Sequence, residues 1–122
     1  MNFKSITGQI GEDLACEYLT NKGYKIIERN YWKPWGELDI VVRDPENILV
    51  FVEVKTMRQN NPAIAELQPE DNLTKAKLKK LQKTAQMFAG QFPDLVDDDK
   101  GWRIDLVAII LPASRISHYE NL

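Results

Sequence analysis

The chain has 122 residues, 43% of them hydrophobic and 28% charged, with a net charge of −2 and a pI of about 5.4. That balance excludes a disordered tail, and no apolar run approaches the roughly 18 residues a membrane span needs. One cysteine, Cys16, and one histidine, His118, exclude an internal disulfide and a zinc cluster of the usual Cys/His kind. The N-terminal MNFKSITGQIGEDLACEYL lacks a basic start followed by an apolar stretch, so a reducing, cytoplasmic setting is expected. The length suits one domain over residues 1–122. The negative charge argues against a surface that grips nucleic acid throughout, since phosphate neutralisation supplies most of that affinity. The charge is nonetheless uneven: TKAKLKKLQK, residues 74–83, carries five lysines and no acid, whereas DLVDDDK is acidic.

In chain order, SITGQIGEDLACEYLTNKGY predicts a first helix capped by Ser5 or Thr7, with Gly23 at its C-terminal end. Ile10, Leu14 and Tyr18 form one apolar stripe; Gly8, Glu12, Ala15 and Leu19 form a second, which puts Glu12 among small and apolar residues. Glu12 is then either a first-turn acid favoured by the helix dipole or a buried acid with a task. KIIERNYW predicts a strand and KPWG a turn. GELDIVVRD and ILVFVEVKT predict two further strands joined through DPEN. Residues 58–73 read as a loop. A second helix starts at Thr74, with Leu78, Leu81, Ala85, Phe88 and Phe92 on its apolar face. GQFPDLVDDDKG is a loop and WRIDLVAIIL a last strand. The run Ile48 to Val52 leaves no polar face, so helices must cover a mixed sheet. The fold class is α/β.

Charges interrupt the best strands. Side chains alternate across a sheet, so Glu53 and Lys55 share a face, roughly 6.5–7 Å apart. If the two central strands form a hairpin in which paired residue numbers sum to 92, Asp39 lies opposite Glu53 and Pro45, Glu46 and Asn47 form the loop. A sum of 91 would separate the two acids onto opposite faces. In the even register the carboxylates repel and need a positive partner. Lys55 can neutralise one; a hard divalent cation, Mg²⁺ or Mn²⁺, would take both. Metal-assisted hydrolysis of a phosphodiester is one use of such a set. A salt-bridged Glu53–Lys55 pair, with Asp39 answered by Arg103 or another base, is the bland alternative. Tyr31, Trp32 and Trp35 beside Lys33 and Pro34 either stack on bases or belong to the core.

The pieces GQIGEDLACEYLTNKGYKIIERNY, GELDIVV, LVFVEVKTM, KLKKLQKTAQMF and WRIDLVAI, in that order, resemble the bacterial YraN-type family. The D…(D/E)-x-K pattern is similar to that of restriction-endonuclease-like nucleases. The resemblance implies a mixed sheet flanked by helices and a nuclease acting on branched or flapped DNA in recombination or repair. A non-catalytic module of the same fold, binding nucleic acid or protein, is its alternative. It implies Asp39 and Glu53 as metal ligands with help from Glu12, Lys55 as the catalytic lysine, and Glu37 as an acid supporting the site or joining the ligands. Lys77 matches the lysine of the family's second helix; Lys75, Lys79, Lys80 and Lys83, with Lys33, would track phosphates, and a solvated helix face is the bland alternative for the helix lysines. Nucleic acid, DNA first, is the implied partner, without a membrane, and a homodimer is an open expectation. Arg103 and Asp105 match a stretch whose role reads as structural, with Ile104 in place of an aromatic residue. Met57, a glycine-free loop at residues 60–71 and Trp32 depart from the family pattern and thin the positive charge around the site.

Overall fold

The computed structural model describes residues 4–59 and 73–122. The loop expected over residues 58–73 therefore lies mostly outside the described residues. Helix α1 spans Ile6–Asn21, and Ser5 is its cap: the Ser5 hydroxyl accepts the Gly8 N–H at 3.0 Å. Gly23, at φ +91°, turns the chain out of the helix into strand β1, Lys25–Lys33. Strand β2, Gly36–Arg43, and strand β3, Leu49–Arg58, follow. Helix α2, Lys75–Gln91, is capped by Thr74, whose hydroxyl accepts the Lys77 N–H at 3.2 Å. After a 3₁₀ turn at Pro93–Leu95 come strand β4, Trp102–Leu111, and strand β5, Arg115–Tyr119. β5 is absent from the sequence reading, which ended on β4.

The five strands form one sheet in the order β1-β2-β3-β4-β5, antiparallel except for the β3–β4 pair, which is parallel. This is the mixed α/β sheet the pattern predicted. Alternation divides it into two cores. On one face Ile40, Val42, Val50, Val52, Val107 and Ile109 pack against Ala15 and Leu19 of α1. On the other, Val41, Leu49, Phe51 and Ile104 pack against Leu81, Ala85 and Phe88 of α2. The buried face of α1 is Gly11, Glu12, Ala15 and Leu19; Ile10, of the other predicted stripe, is 38% exposed. Leu14 and Tyr18 of that stripe pack partly buried against the same core, and Gly11 lets the helix lie close to the sheet.

Both helices meet the sheet at a glycine–threonine contact. A Cβ on Gly11 would overlap the Thr56 side chain, and one on Gly36 would overlap that of Thr84. Within a helix, glycine-to-alanine ordinarily gains up to about 1 kcal/mol. Gly11→Ala is expected instead to lose about 1–3 kcal/mol, because α1 must lift off β3. Thermal denaturation checks this, and a raised melting temperature would contradict the close approach.

Candidate active site

Strands β2 and β3 pair as Ile40↔Val52, Val41↔Phe51, Val42↔Val50 and Arg43↔Leu49, each pair summing to 92. The even register therefore holds. The loop closes through Asp44 N–H to Ile48 C=O at 2.9 Å, with Asn47 at φ 65°. Past Ile40↔Val52 the ladder stops. Continued, it would bring the Val54 N–H to the carbonyl of Leu38; the Val54 N–H instead donates to Asp39 Oδ2 at 2.9 Å. A carboxylate thus replaces a backbone carbonyl, and the strands fork around Asp39. Such an exchange keeps the buried N–H satisfied and holds the other carboxylate oxygen in the fork.

That other oxygen, Asp39 Oδ1, lies 2.7 Å from Lys4 Nζ. The same ammonium lies 3.1 Å from Glu12 Oε2. Asp39 is therefore answered by a base other than Arg103, and it is one the sequence reading missed. Glu12 is 1% exposed, which settles its location in favour of burial; its Oε1 accepts from Arg29 Nε at 3.2 Å. Glu12 Oε2 accepts no well-formed hydrogen bond among the described residues and depends on Lys4 alone. Lys4 lies ahead of the helix cap, outside the helical repeat that the sequence reading followed.

Glu53 reaches Asp39 from the opposite side of the fork. It lies with Lys55, Glu37, Lys33, Lys77 and Lys80 along a cleft of about 600 Å³ between the β1–β2 turn and α2. Lys55 also lines the smaller hollow shared by Lys4 and Glu12, so it stands between the two halves of the site. Among the described residues Lys55 forms no ion pair, and the bland Glu53–Lys55 bridge is not made. Of the α2 lysines only Lys77 and Lys80 line the cleft. Lys75, Lys79 and Lys83 are exposed and point elsewhere. The aromatic trio divides: Tyr31 is buried with its ring edge-on to Phe88, whereas Trp32 and Trp35 are 43% and 47% exposed.

The electrostatics follow from burial. Burial first, then the charge of Asp39 and a hydrogen bond to it, push the Glu53 carboxyl up to about 8, against the opposing pull of Lys4. The shift favours the protonated form of Glu53, whose proton lies in the hydrogen bond to Asp39. For Lys4, burial would lower its pKa, but its contacts with Asp39 and Glu12 outweigh that and hold it above its ordinary value. A raised carboxyl pKa stabilises the fold fully below the unfolded value of about 4.3, and that stability is lost as pH rises through about 8. Glu53→Gln keeps the donated hydrogen bond. Without divalent ions it is expected to lie within about 1 kcal/mol of wild type at pH 6 and to lose less stability between pH 6 and 9. Denaturant melts across that range measure it; parallel pH profiles would contradict the protonated state.

The donor set is carboxylate oxygens with one buried oxygen short of a hydrogen bond, which fits a hard divalent cation. Asp39, Glu53 and Glu12 would hold it. They do not crowd together as they stand. Among the described residues the trio whose ligand atoms lie within 4.8 Å of one another is Asp105, His118 and Glu120. Asp105, the buried acid of that cluster, is already satisfied. Asp105 accepts from Arg103 Nε at 3.0 Å, His118 Nε2 at 2.8 Å and the Asn121 N–H at 3.0 Å. Arg103 also donates to Asp44 at 2.6 Å and to the Tyr24 hydroxyl at 3.2 Å. These residues tie β4 to β5 and to the β2–β3 loop, in line with the structural role read for Arg103 and Asp105.

Fold and site together define a small α/β protein with an acid–acid–lysine fork at the parting of two central strands. The chain belongs to the uncharacterised protein family UPF0102, whose model matches residues 11–109. It is 39% identical over 116 residues to a UPF0102 protein of Syntrophomonas wolfei, covering 93% of this chain and 94% of that one. Identity to a UPF0102 protein of Persephonella marina is 35% over 119 residues, covering 98% and 94%. One from Fervidobacterium nodosum is 37% identical over 114 residues, covering 93% and 79%. Glu12, Asp39, Glu53 and Lys55 fall inside the matched segment; Lys4 precedes it. No helix among the described residues is long and apolar enough to cross a membrane.

Proposed function

We propose that the protein is a divalent-metal-dependent nuclease that hydrolyses phosphodiesters in branched or flapped DNA. The observation that carries this reading is the fork: Asp39 meets Glu53 and the Glu12–Lys4 pair, and Lys55, which forms no ion pair among the described residues, stands beside both. The fold, with helices on both faces of a mixed sheet, is compatible with the restriction-endonuclease-like class that the motifs resemble.

Asp39, Glu53 and Glu12 would hold Mg²⁺ or Mn²⁺. A bound ion supplies a Lewis acid for the phosphoryl oxygen and lowers the pKa of water at the site. Glu53 must give up its proton to serve as a ligand. Lys55, on Glu53's face and one pleat further on, positions the attacking water or offsets charge on the phosphate. Lys33, Lys77 and Lys80 hold backbone phosphates along the cleft. Glu37, exposed at the cleft edge, adds to the field that keeps Glu53 protonated.

Cleavage of labelled flapped, four-way, single-stranded and duplex DNA with Mg²⁺ or Mn²⁺, against a chelator control, tests this. Cutting of at least one substrate is expected, with a loss of about a hundredfold or more in Lys55→Ala. Binding without cutting by the wild type would favour a non-catalytic module. That second reading is supported by the acidic pI of about 5.4 and by a site whose charges Lys4 already balances.

A further inference from the structure

Lys4 stands just ahead of the cap of α1 and reaches two acids on different elements. Among the described residues it is the one cation on each of the two oxygens it touches. Asp39 Oδ2 is taken by the Val54 N–H, and Lys4 covers Oδ1. Glu12 Oε1 is taken by Arg29, and Lys4 covers Oε2. The acid side chains are 6% and 1% exposed and the lysine 19%, so the contact is largely withdrawn from water, where charge-assisted contacts are strong. An ammonium offers donors only, and a hard divalent cation seeks the same oxygens. Two cations cannot share them.

We infer that Lys4 is a built-in competitor for the divalent ion: the ion loads by displacing the Lys4 ammonium from Asp39 and Glu12, and the metal-free site is held closed by it. This rests on the metal-site reading above and concerns the regulation of that same site. The exchange breaks no covalent bond; one cation leaves the two oxygens and another takes them. A site competent only when Lys4 is out binds with an apparent affinity reduced by the fraction of molecules in that state. Removing the ammonium restores the intrinsic affinity. Given what charge-assisted hydrogen bonds contribute, the gain is about ten- to a hundredfold.

The test is calorimetric titration of Mn²⁺ into the full chain, into Lys4→Met and Lys4→Gln, and into Asp39→Asn as the reference for a broken site. Melting temperatures are read in parallel with and without Mn²⁺. Both Lys4 variants are expected to bind Mn²⁺ about tenfold or more tighter than wild type. Each should melt lower without metal and gain more on saturation. Equal affinity in wild type and both variants would overturn the inference while leaving the metal site standing. Weaker binding in the variants would overturn it too, by making Lys4 a support of the site. No Mn²⁺ binding by any of the chains would remove the inference and the metal-site reading together.

Discussion

Asp39→Asn is expected to weaken divalent-ion binding by at least about a hundredfold and to bring metal-dependent cleavage down by about a thousandfold or more, with the fold retained. Asp39 holds three partners at the site. Its Oδ2 caps the Val54 N–H at 2.9 Å, its Oδ1 holds Lys4 at 2.7 Å, and the Glu53 carboxyl hydrogen-bonds to it. The asparagine oxygen can still accept from Val54, so the fork between β2 and β3 survives. The amide nitrogen then faces an ammonium, donor against donor, and Lys4 is left to Glu12. For a cation the change is larger, since a charged ligand at the centre of the set becomes neutral. Circular dichroism and melts establish the fold, and Mn²⁺ titration with single-turnover cleavage gives the two losses. Wild-type metal affinity in the folded variant would contradict the assigned ligand.

Arg103→Met carries the largest expected loss of stability, about 3–5 kcal/mol, because it strips the cation from two buried acids. Asp105 is fully buried and Asp44 is 7% exposed. Both carboxyls lie below their ordinary values: burial would raise them, but the hydrogen bonds they accept outweigh it. Those bonds come from His118, Arg103 and the Asn121 N–H for Asp105, and from the Ile48 N–H, Arg103 and the Glu46 N–H for Asp44. Depressed carboxyls stabilise the fold above their unfolded value of about 3.9, and that stability is lost as pH falls through the lower folded values. The gap between wild type and Arg103→Met is therefore widest near pH 7 and closes as both proteins are acidified. In a chain this size a loss of that order lowers the melting temperature by roughly 10–20 °C. Urea melts at pH 7 and pH 3 measure the gap at both ends. A gap that stayed constant with pH would mean that Arg103 acts through packing, not through its charge.

Much of this arrangement was legible because local rules fixed it. The three-residue loop at Pro45–Asn47 set the parity of the β2–β3 register, and with it the meeting of Asp39 and Glu53. The 3.6-residue repeat of α2 marked Leu81, Ala85 and Phe88 as core. On α1 the second stripe marked Glu12, Ala15 and Leu19 as buried, whereas Gly11, which sits on Thr56, carried no apolar signal. β5 escaped because RISHY is five residues long and only half-buried, and it is a strand by virtue of pairing with β4. Lys4 escaped for a similar reason. Its partner Asp39 is 35 residues away, and nothing local to Lys4 shows that the fork will open beside it. The α2 lysines were assigned as one basic face, yet a helix faces several ways, and only Lys77 and Lys80 turn into the cleft. Fold class thus follows from periodicity, and the meeting of the two acids follows from it only once the loop length is known. The cation that balances those acids follows from tertiary contacts alone.

The most direct measurement is the anomalous difference density of crystals soaked in Mn²⁺. The account predicts a peak within bonding distance of Asp39 and Glu53, next to Glu12, with the Lys4 ammonium moved away from Asp39 Oδ1. A fork without density, Lys4 still in place, or a peak at Asp105, His118 and Glu120 instead, would contradict it.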